Sequence, residues 1–206
     1  MRVEGPVGFD LDLTLINSRP AIMAAWSAVA DELGVHIDLA EVDTRMGIKL
    51  EDEVSYWFPA EMGQAAADSY RRHYVRLAPT MTLPMPGAAA ALSAVRHSGA
   101  RAVIVTAKHP VSVGPSLAAV EIVADEVFAF VHGPEKAVVL ADIGAAVYVG
   151  DTPADMAAGR DGGALPVGVP TGSFGAADLT AAGARVVLAS LLDFPSWYAG
   201  FRMGAR

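Results

Sequence analysis

The chain has 206 residues, 53% of them hydrophobic and 18% charged, which fits a compact globular protein with one sizeable core and excludes a disordered one. Its formal net charge is −8 and it has no basic run, so nucleic acid is not an expected partner. With no cysteine there are no disulfides, thiol nucleophiles or thiolate metal sites, which fits a reducing, cytoplasmic setting; the sequence shows neither a signal peptide nor an apolar run of membrane-spanning length.

Val3, Val7 and Phe9 read as a short apolar strand that ends in Asp10-Leu11-Asp12-Leu13-Thr14. The pattern then turns helical. Ile22, Trp26, Val29 and Leu33 share one helix face, Ser18-Arg19-Pro20 opens that helix and Gly34 closes it. Asp38 opens a short helix through Val42, and helices are expected over 51–57 and 61–77. No β-pattern interrupts residues 16–82, so this stretch reads as an all-helical insertion, ended by the prolines of Pro79 to Pro86.

From residue 87 helices and strands alternate. An Ala-rich helix to His97 precedes the apolar run Ala102-Val103-Ile104-Val105, which reads as a central parallel strand. A helix over 111–120, a strand over 127–131, a helix over 137–143 and a strand over 145–149 follow. Next come a helix over 154–160, a strand over 165–169, a last strand at Val186-Val187-Leu188 and a short helix over 190–194. This alternation predicts an α/β fold: a doubly wound parallel sheet with a Rossmann-like core. The all-helical insertion, residues 16–82, follows the first strand, so residues 1–15 and 83–206 together form the α/β core.

In such a sheet the strand C-terminal ends share one edge. Four polar clusters follow four apolar strands: Asp10 and Asp12; Thr106; Lys136; Asp151 and Asp155. Two carboxylates at one strand end need a cation or a shared proton to coexist. These parts suit phosphoryl transfer. Asp10 and Asp151 can supply carboxylate oxygens to Mg²⁺, with a backbone carbonyl and waters completing an octahedron. Asp10 can attack phosphorus, and Asp12 can protonate the leaving oxygen and then activate water. The Thr106 hydroxyl and the Lys136 ammonium can bind the transferring group.

The order Asp10-x-Asp12-x-Thr14, Thr106, Lys136, Gly150-Asp151-x-x-x-Asp155 resembles the haloacid dehalogenase superfamily over essentially the whole chain. Thr106-Ala107-Lys108-His109-Pro110 and Thr171-Gly172-Ser173-Phe174 look most like its phosphoglycolate phosphatase branch. The resemblance implies that Asp10 is the nucleophile and Asp12 the general acid/base. Asp10, the Asp12 carbonyl and Asp151 would hold Mg²⁺, and Asp155 would support the metal shell or Lys136. It also implies that residues 1–15 and 83–206 are a catalytic core and residues 16–82 its helical cap, acting on a small phosphorylated metabolite; attack by Asp10 would form an aspartyl-phosphate, and the expected assembly is a monomer or homodimer. Candidate substrate contacts are Thr14, Lys108, and Arg45 and Lys49 beside Gly47 in a cap loop.

Three positions depart from the branch pattern. Leu13 stands where Gly is usual, Ala107 where Asn is common, and Ala137 where Pro is common. Two other readings stay open: a phosphomutase on the same core, whose cap would have to bind a second phosphate, and a catalytically silent member that binds a phosphorylated ligand or a protein. His36, His73, His97 and His132 lack metal-ligand spacing and read as surface or capping residues. Trp197, Tyr198 and Phe201 read as tail packing or a subunit contact.

Overall fold

A computed structural model describes residues 4–204. Val3, expected in the first strand, lies outside them. Strand β1 (Val7–Phe9) is the centre of a six-stranded sheet with β4 (Ala102–Val105), β5 (Glu126–Phe128), β6 (Val147–Gly150), β7 (Leu165–Gly168) and β8 (Val186–Val187). All pairs are parallel and the order is β5-β4-β1-β6-β7-β8. The chain builds outward from β1 to one side, then returns to build the other. The topological switch therefore lies between β1 and β6, where a crevice opens beyond the strand ends.

β1, β4 and β6 are wholly buried, which is why they read as unbroken apolar runs rather than alternating ones. The core continues through Leu92 and Val95 of α5 (Ala88–His97) and Phe194 and Tyr198 of α10 (Phe194–Met203). Trp197, Tyr198 and Phe201 belong to this tail helix. Phe194 tilts onto Phe9 and stacks on Tyr198, so the tail closes one face of the sheet. The other helices of the sheet region are α6 (Pro110–Ala119), α7 (Pro134–Asp142), α8 (Pro153–Asp161) and α9 (Ala176–Ala181).

Between β1 and β4 lie α1 (Arg19–Leu33), α2 (Leu39–Thr44), α3 (Leu50–Trp57), the 3-10 turn Ala60–Met62 and α4 (Gly63–Met81). They have an apolar interior of their own around Trp26, Val29, Val42, Val54 and Phe58. Gly34 closes α1 in the left-handed conformation, and the Asp38 side chain caps α2 by accepting from Ala40 and Glu41. Among the described residues no helix is long and apolar enough to cross a membrane.

The observed elements differ from those expected at several boundaries. The segment expected to be purely helical begins with strand β2 (Ile16–Asn17), which pairs antiparallel with β3 (Leu83–Pro84). Two residues are too short to show a period, and only their pairing makes them a ribbon. α4 runs through Pro79 to Met81, because a proline in the last turn removes one N–H and not a run of bonds. The strand expected over 127–131 stops at Phe128. Beyond it Phe130 turns to φ +61°, and the N–H groups of Phe130 and Val131 donate to the carbonyls of Lys108 and Thr106. α9 had no expectation, and the final helix begins at Phe194 where one was expected to end.

Candidate active site

The crevice at the switch point is a cavity of about 380 Å³, bordered by Asp10, Asp12, Leu13, Thr106, Lys108, Lys136, Asp151 and Asp155. The loop holding Gly47 to Leu50 and the α4 residues Tyr70, Arg71 and Tyr74 cover it. Asp10 directly follows β1 and is 7% exposed. Its Oδ1 accepts from Lys136 Nζ at 2.8 Å. Lys136 sits in the first turn of α7 and also donates to Asp155 Oδ1 at 2.7 Å.

Asp155 lies in the first turn of α8 and forms a capping box with Thr152. Its Oδ1 accepts from Tyr148 as well, and its Oδ2 from the Thr152 hydroxyl and backbone N–H. Gly150 permits this approach, because a Cβ there would come within 2.4 Å of the Asp155 Cβ. Asp151, immediately after β6, is almost wholly buried; its Oδ1 accepts from Thr14 at 3.0 Å. A Cβ on Gly172 would fall 2.0 Å from Asp151 Oδ2, so only glycine fits there without displacing the carboxylate.

Asp10, Asp151 and Asp155 bring one carboxylate oxygen each within 4.8 Å of the others. Lys136 is the ammonium bonded into this cluster, so three buried carboxylates face one positive charge. Burial, partly offset by Lys136, pushes Asp10 up to about 7. Burial and the neighbouring Asp155 and Asp10 charges raise Asp151 well above the carboxylate range. Burial works against the charge of Lys136, but Asp10 and Asp155 outweigh it and hold the ammonium protonated. An all-oxygen set short of positive charge fits a hard divalent cation. Asp155 already accepts on both oxygens, so Asp10 and Asp151 are the carboxylates with capacity for one.

The remaining candidates fall in different places. Thr106 is buried beside the cavity, and its Oγ1 accepts from the Lys108 N–H at 3.1 Å. Thr14, expected at the substrate, is completely buried, spends its hydroxyl on Asp151 and does not border the cavity. Lys49 borders the cavity. Arg45, expected beside it, turns away: Nε donates to Glu53 at 2.8 Å and the guanidinium lies 3.9 Å from the centre of the Tyr56 ring. The buried Glu53 carboxylate, which also accepts from Trp57, demands that partner. Asp12 is expected to offer a metal its carbonyl, and its carboxylate turns to Lys108.

His132, read as a surface or capping residue, is 9% exposed, borders the cavity and has an Nε2 without a hydrogen-bond partner among the described residues. Tyr70, Arg71 and Tyr74 are site residues that the sequence does not announce. In sequence Tyr70 and Tyr74 are one stripe of an amphipathic helix, indistinguishable from core positions, and Arg71 is one of several cations along the same helix.

Fold and site together define a doubly wound α/β protein with a buried carboxylate–ammonium centre at the switch point. The profile for haloacid dehalogenase-like hydrolases matches residues 7–137, and a related hydrolase profile matches residues 128–194. The chain belongs to the haloacid dehalogenase-like hydrolase family. No curated protein matches it.

Solved structures share the fold at low identity. A haloacid dehalogenase-like family hydrolase from Streptococcus pneumoniae is 22% identical with a TM-score of 0.83, covering 96% of this chain and 100% of that one. A predicted phosphoglycolate phosphatase from Haemophilus somnus is 19% identical with a TM-score of 0.82, covering 96% and 99%. CbbY from Rhodobacter sphaeroides, solved with phosphate, is 17% identical with a TM-score of 0.79, covering 92% and 95%.

Proposed function

We propose that the protein is a Mg²⁺-dependent phosphatase that hydrolyses a small phosphate monoester through an aspartyl-phosphate. Residues 1–15 and 83–206 are the catalytic core, and the helical segment 16–82 is a cap that closes over the substrate. One observation carries the reading: Asp10 borders the cavity, held by Lys136 through one oxygen, and Asp12 borders the same cavity. Among the described residues no donor holds Asp10 Oδ2, so that oxygen is available to attack.

In this mechanism Asp10 Oδ2 bonds to phosphorus as the bond to the leaving oxygen breaks, and Asp12 gives that oxygen a proton. Asp12 then takes a proton from water as it attacks phosphorus, releasing inorganic phosphate and restoring Asp10. Lys136 and the Thr106 hydroxyl hold phosphoryl oxygens throughout. Asp10, Asp151 and the Asp12 carbonyl would hold Mg²⁺, which when bound neutralises charge that otherwise repels the nucleophile. Lys49 meets the far end of the substrate. The name of the Haemophilus somnus relative makes phosphoglycolate a first compound to assay.

A panel of small phosphate esters, assayed with Mg²⁺ and with chelator, tests this. Turnover is expected with Mg²⁺ and none in EDTA. Asp10→Asn should form no phosphoenzyme. Asp12→Asn, given an activated aryl ester, should be phosphorylated and then stall. Full activity in chelator, or a phosphoenzyme in Asp10→Asn, would overturn the reading. The phosphomutase alternative loses one of its two cap cations, because Arg45 is committed to Glu53. Product analysis with a sugar phosphate separates the two, since a mutase returns an isomeric sugar phosphate and a phosphatase returns inorganic phosphate.

A further inference from the structure

Lys108 stands two residues after Thr106 and borders the cavity, where a lysine is expected to meet substrate. Its surroundings point elsewhere. The side chain is 7% exposed, and Nζ donates to Asp12 Oδ1 at 2.7 Å. The same ammonium lies 4.2 Å from the centre of the Tyr74 ring. Its backbone is fixed as well: the N–H donates to Thr106 Oγ1 at 3.1 Å, and the carbonyl accepts from the Phe130 N–H at 3.0 Å.

Tyr74 belongs to α4, in the helical segment, and is 1% exposed. Its hydroxyl lies 3.1 Å from that of Ser116 on α6, and Ser116 donates to the Ser112 carbonyl one turn back. The ring is thus anchored to the sheet region from one side and faces the ammonium from the other. An ammonium this buried needs a carboxylate and gains from an aromatic face. Asp12 supplies the first and Tyr74 the second. The Asp12 side chain is 29% exposed and ends in a broad, soft torsion, so it has little else to hold its orientation.

We infer that Lys108 is a positioning residue for Asp12: seated against Tyr74, it fixes the Asp12 carboxylate at the leaving oxygen, and the helical segment thereby takes part in the acid–base step. This rests on the phosphatase reading. The alignment of Asp12 matters most where the leaving oxygen needs a proton. It matters little to phosphorylation by an aryl phosphate, whose leaving group departs as a stable anion, whereas hydrolysis of the shared aspartyl-phosphate needs Asp12 as base whichever ester formed it. A lysine that bound substrate would instead act through KM and discriminate by substrate charge.

The test compares an alkyl ester, glycerol phosphate, with p-nitrophenyl phosphate in the full-length protein with Mg²⁺. In single-turnover rapid quench, Lys108→Met should lower the phosphorylation rate with the alkyl ester about ten- to a hundredfold, as loss of general acid catalysis does, while the phosphorylation rate with the aryl ester, and the ester concentration that half-saturates it, move less than about threefold; hydrolysis of the phosphoenzyme should slow alike for both. Lys108→Arg should recover part of the loss. Lys108→Met should add nothing to Asp12→Asn. Tyr74→Leu, which leaves the lysine in place, should show the same ester-dependent pattern and supplies the test if Lys108→Met fails to fold.

An active wild type whose Lys108 and Tyr74 variants slow phosphorylation by both esters equally, or only weaken ester binding, would overturn the inference by itself. So would additive losses with Asp12→Asn. A wild type inert on every phosphate ester would overturn the phosphatase reading and this inference with it.

Discussion

The Thr14 hydroxyl donates to Asp151 Oδ1 at 3.0 Å, joining the loop after β1 to the end of β6 across 137 positions of sequence. It crosses the switch point itself. The bond orients a buried carboxylate that would otherwise be free to turn away from Asp10.

Removing that donor should therefore show in metal activation. Thr14→Val keeps the volume and loses the hydroxyl. The Mg²⁺ concentration for half-maximal activity is expected to rise about ten- to a hundredfold, with substrate KM at saturating Mg²⁺ little changed, because such supporting bonds tune ligands and not substrate. Thr14→Ser should restore most of the affinity. A KM effect with unaltered Mg²⁺ activation would return Thr14 to the substrate.

The two cations of the loop near Gly47 should separate. Lys49 borders the cavity, so Lys49→Ala is expected to lower kcat/KM for an anionic substrate about tenfold and to leave a small aryl phosphate nearly unaffected. Arg45→Ala strips the buried Glu53 of its charged partner. It should cost about 1–3 kcal/mol of stability, lowering Tm by several degrees, with kcat/KM falling equally on both substrates if at all. Thermal melts and steady-state kinetics on the pair check this.

Asp10 ionises at about 7, raised chiefly by burial. Without metal, a carboxyl raised this way favours the folded state at low pH, and that contribution is lost as pH rises through about 7. A cation requires the Asp10 and Asp151 carboxylates, both raised, so Mg²⁺ affinity should fall by at least about tenfold per pH unit below pH 7, with binding releasing protons. Calorimetric titrations at pH 6.0 and 7.5, in buffers of different ionisation heat, measure both effects. Equal affinities and no proton release would contradict the assignment of Asp10.

Leu13 adopts φ +60°, a conformation costing an L-residue roughly 1–2 kcal/mol, which accounts for the usual preference for glycine at this position. The side chain is nevertheless 6% exposed, borders the cavity and packs within reach of Gly172. Leu13→Gly should relieve the backbone but lose a buried side chain worth about 2–5 kcal/mol, so a net fall in Tm is expected. The same change enlarges the cavity, and activity should gain most on bulkier esters. A rise in Tm would show that backbone strain outweighs the packing of the side chain.

The strand-end chemistry is legible in the sequence because it is punctuated. Buried parallel strands are unbroken apolar runs, and each ends abruptly in a residue with no place in a core: Asp10, Thr106, Asp151. Right-handed crossovers then put those ends on one edge, whatever the side chains do. The amphipathic spacing of Trp26, Val29 and Leu33 marks the helical insertion in the same way. The partners of each charge have no such signature. Arg45 and Lys49 are alike in sequence; they separate only because Glu53 is buried within reach of Arg45 and must be neutralised. Lys108 finds Asp12 across 96 positions of sequence, and Tyr74 is one more apolar position on α4 until that helix docks on α6. Sequence determined which chemical groups the strands deliver to the edge, since period and topology act locally and by rule. Which group each one touches was decided by tertiary packing, because desolvation makes every buried charge take the nearest complementary partner, wherever in the chain it comes from.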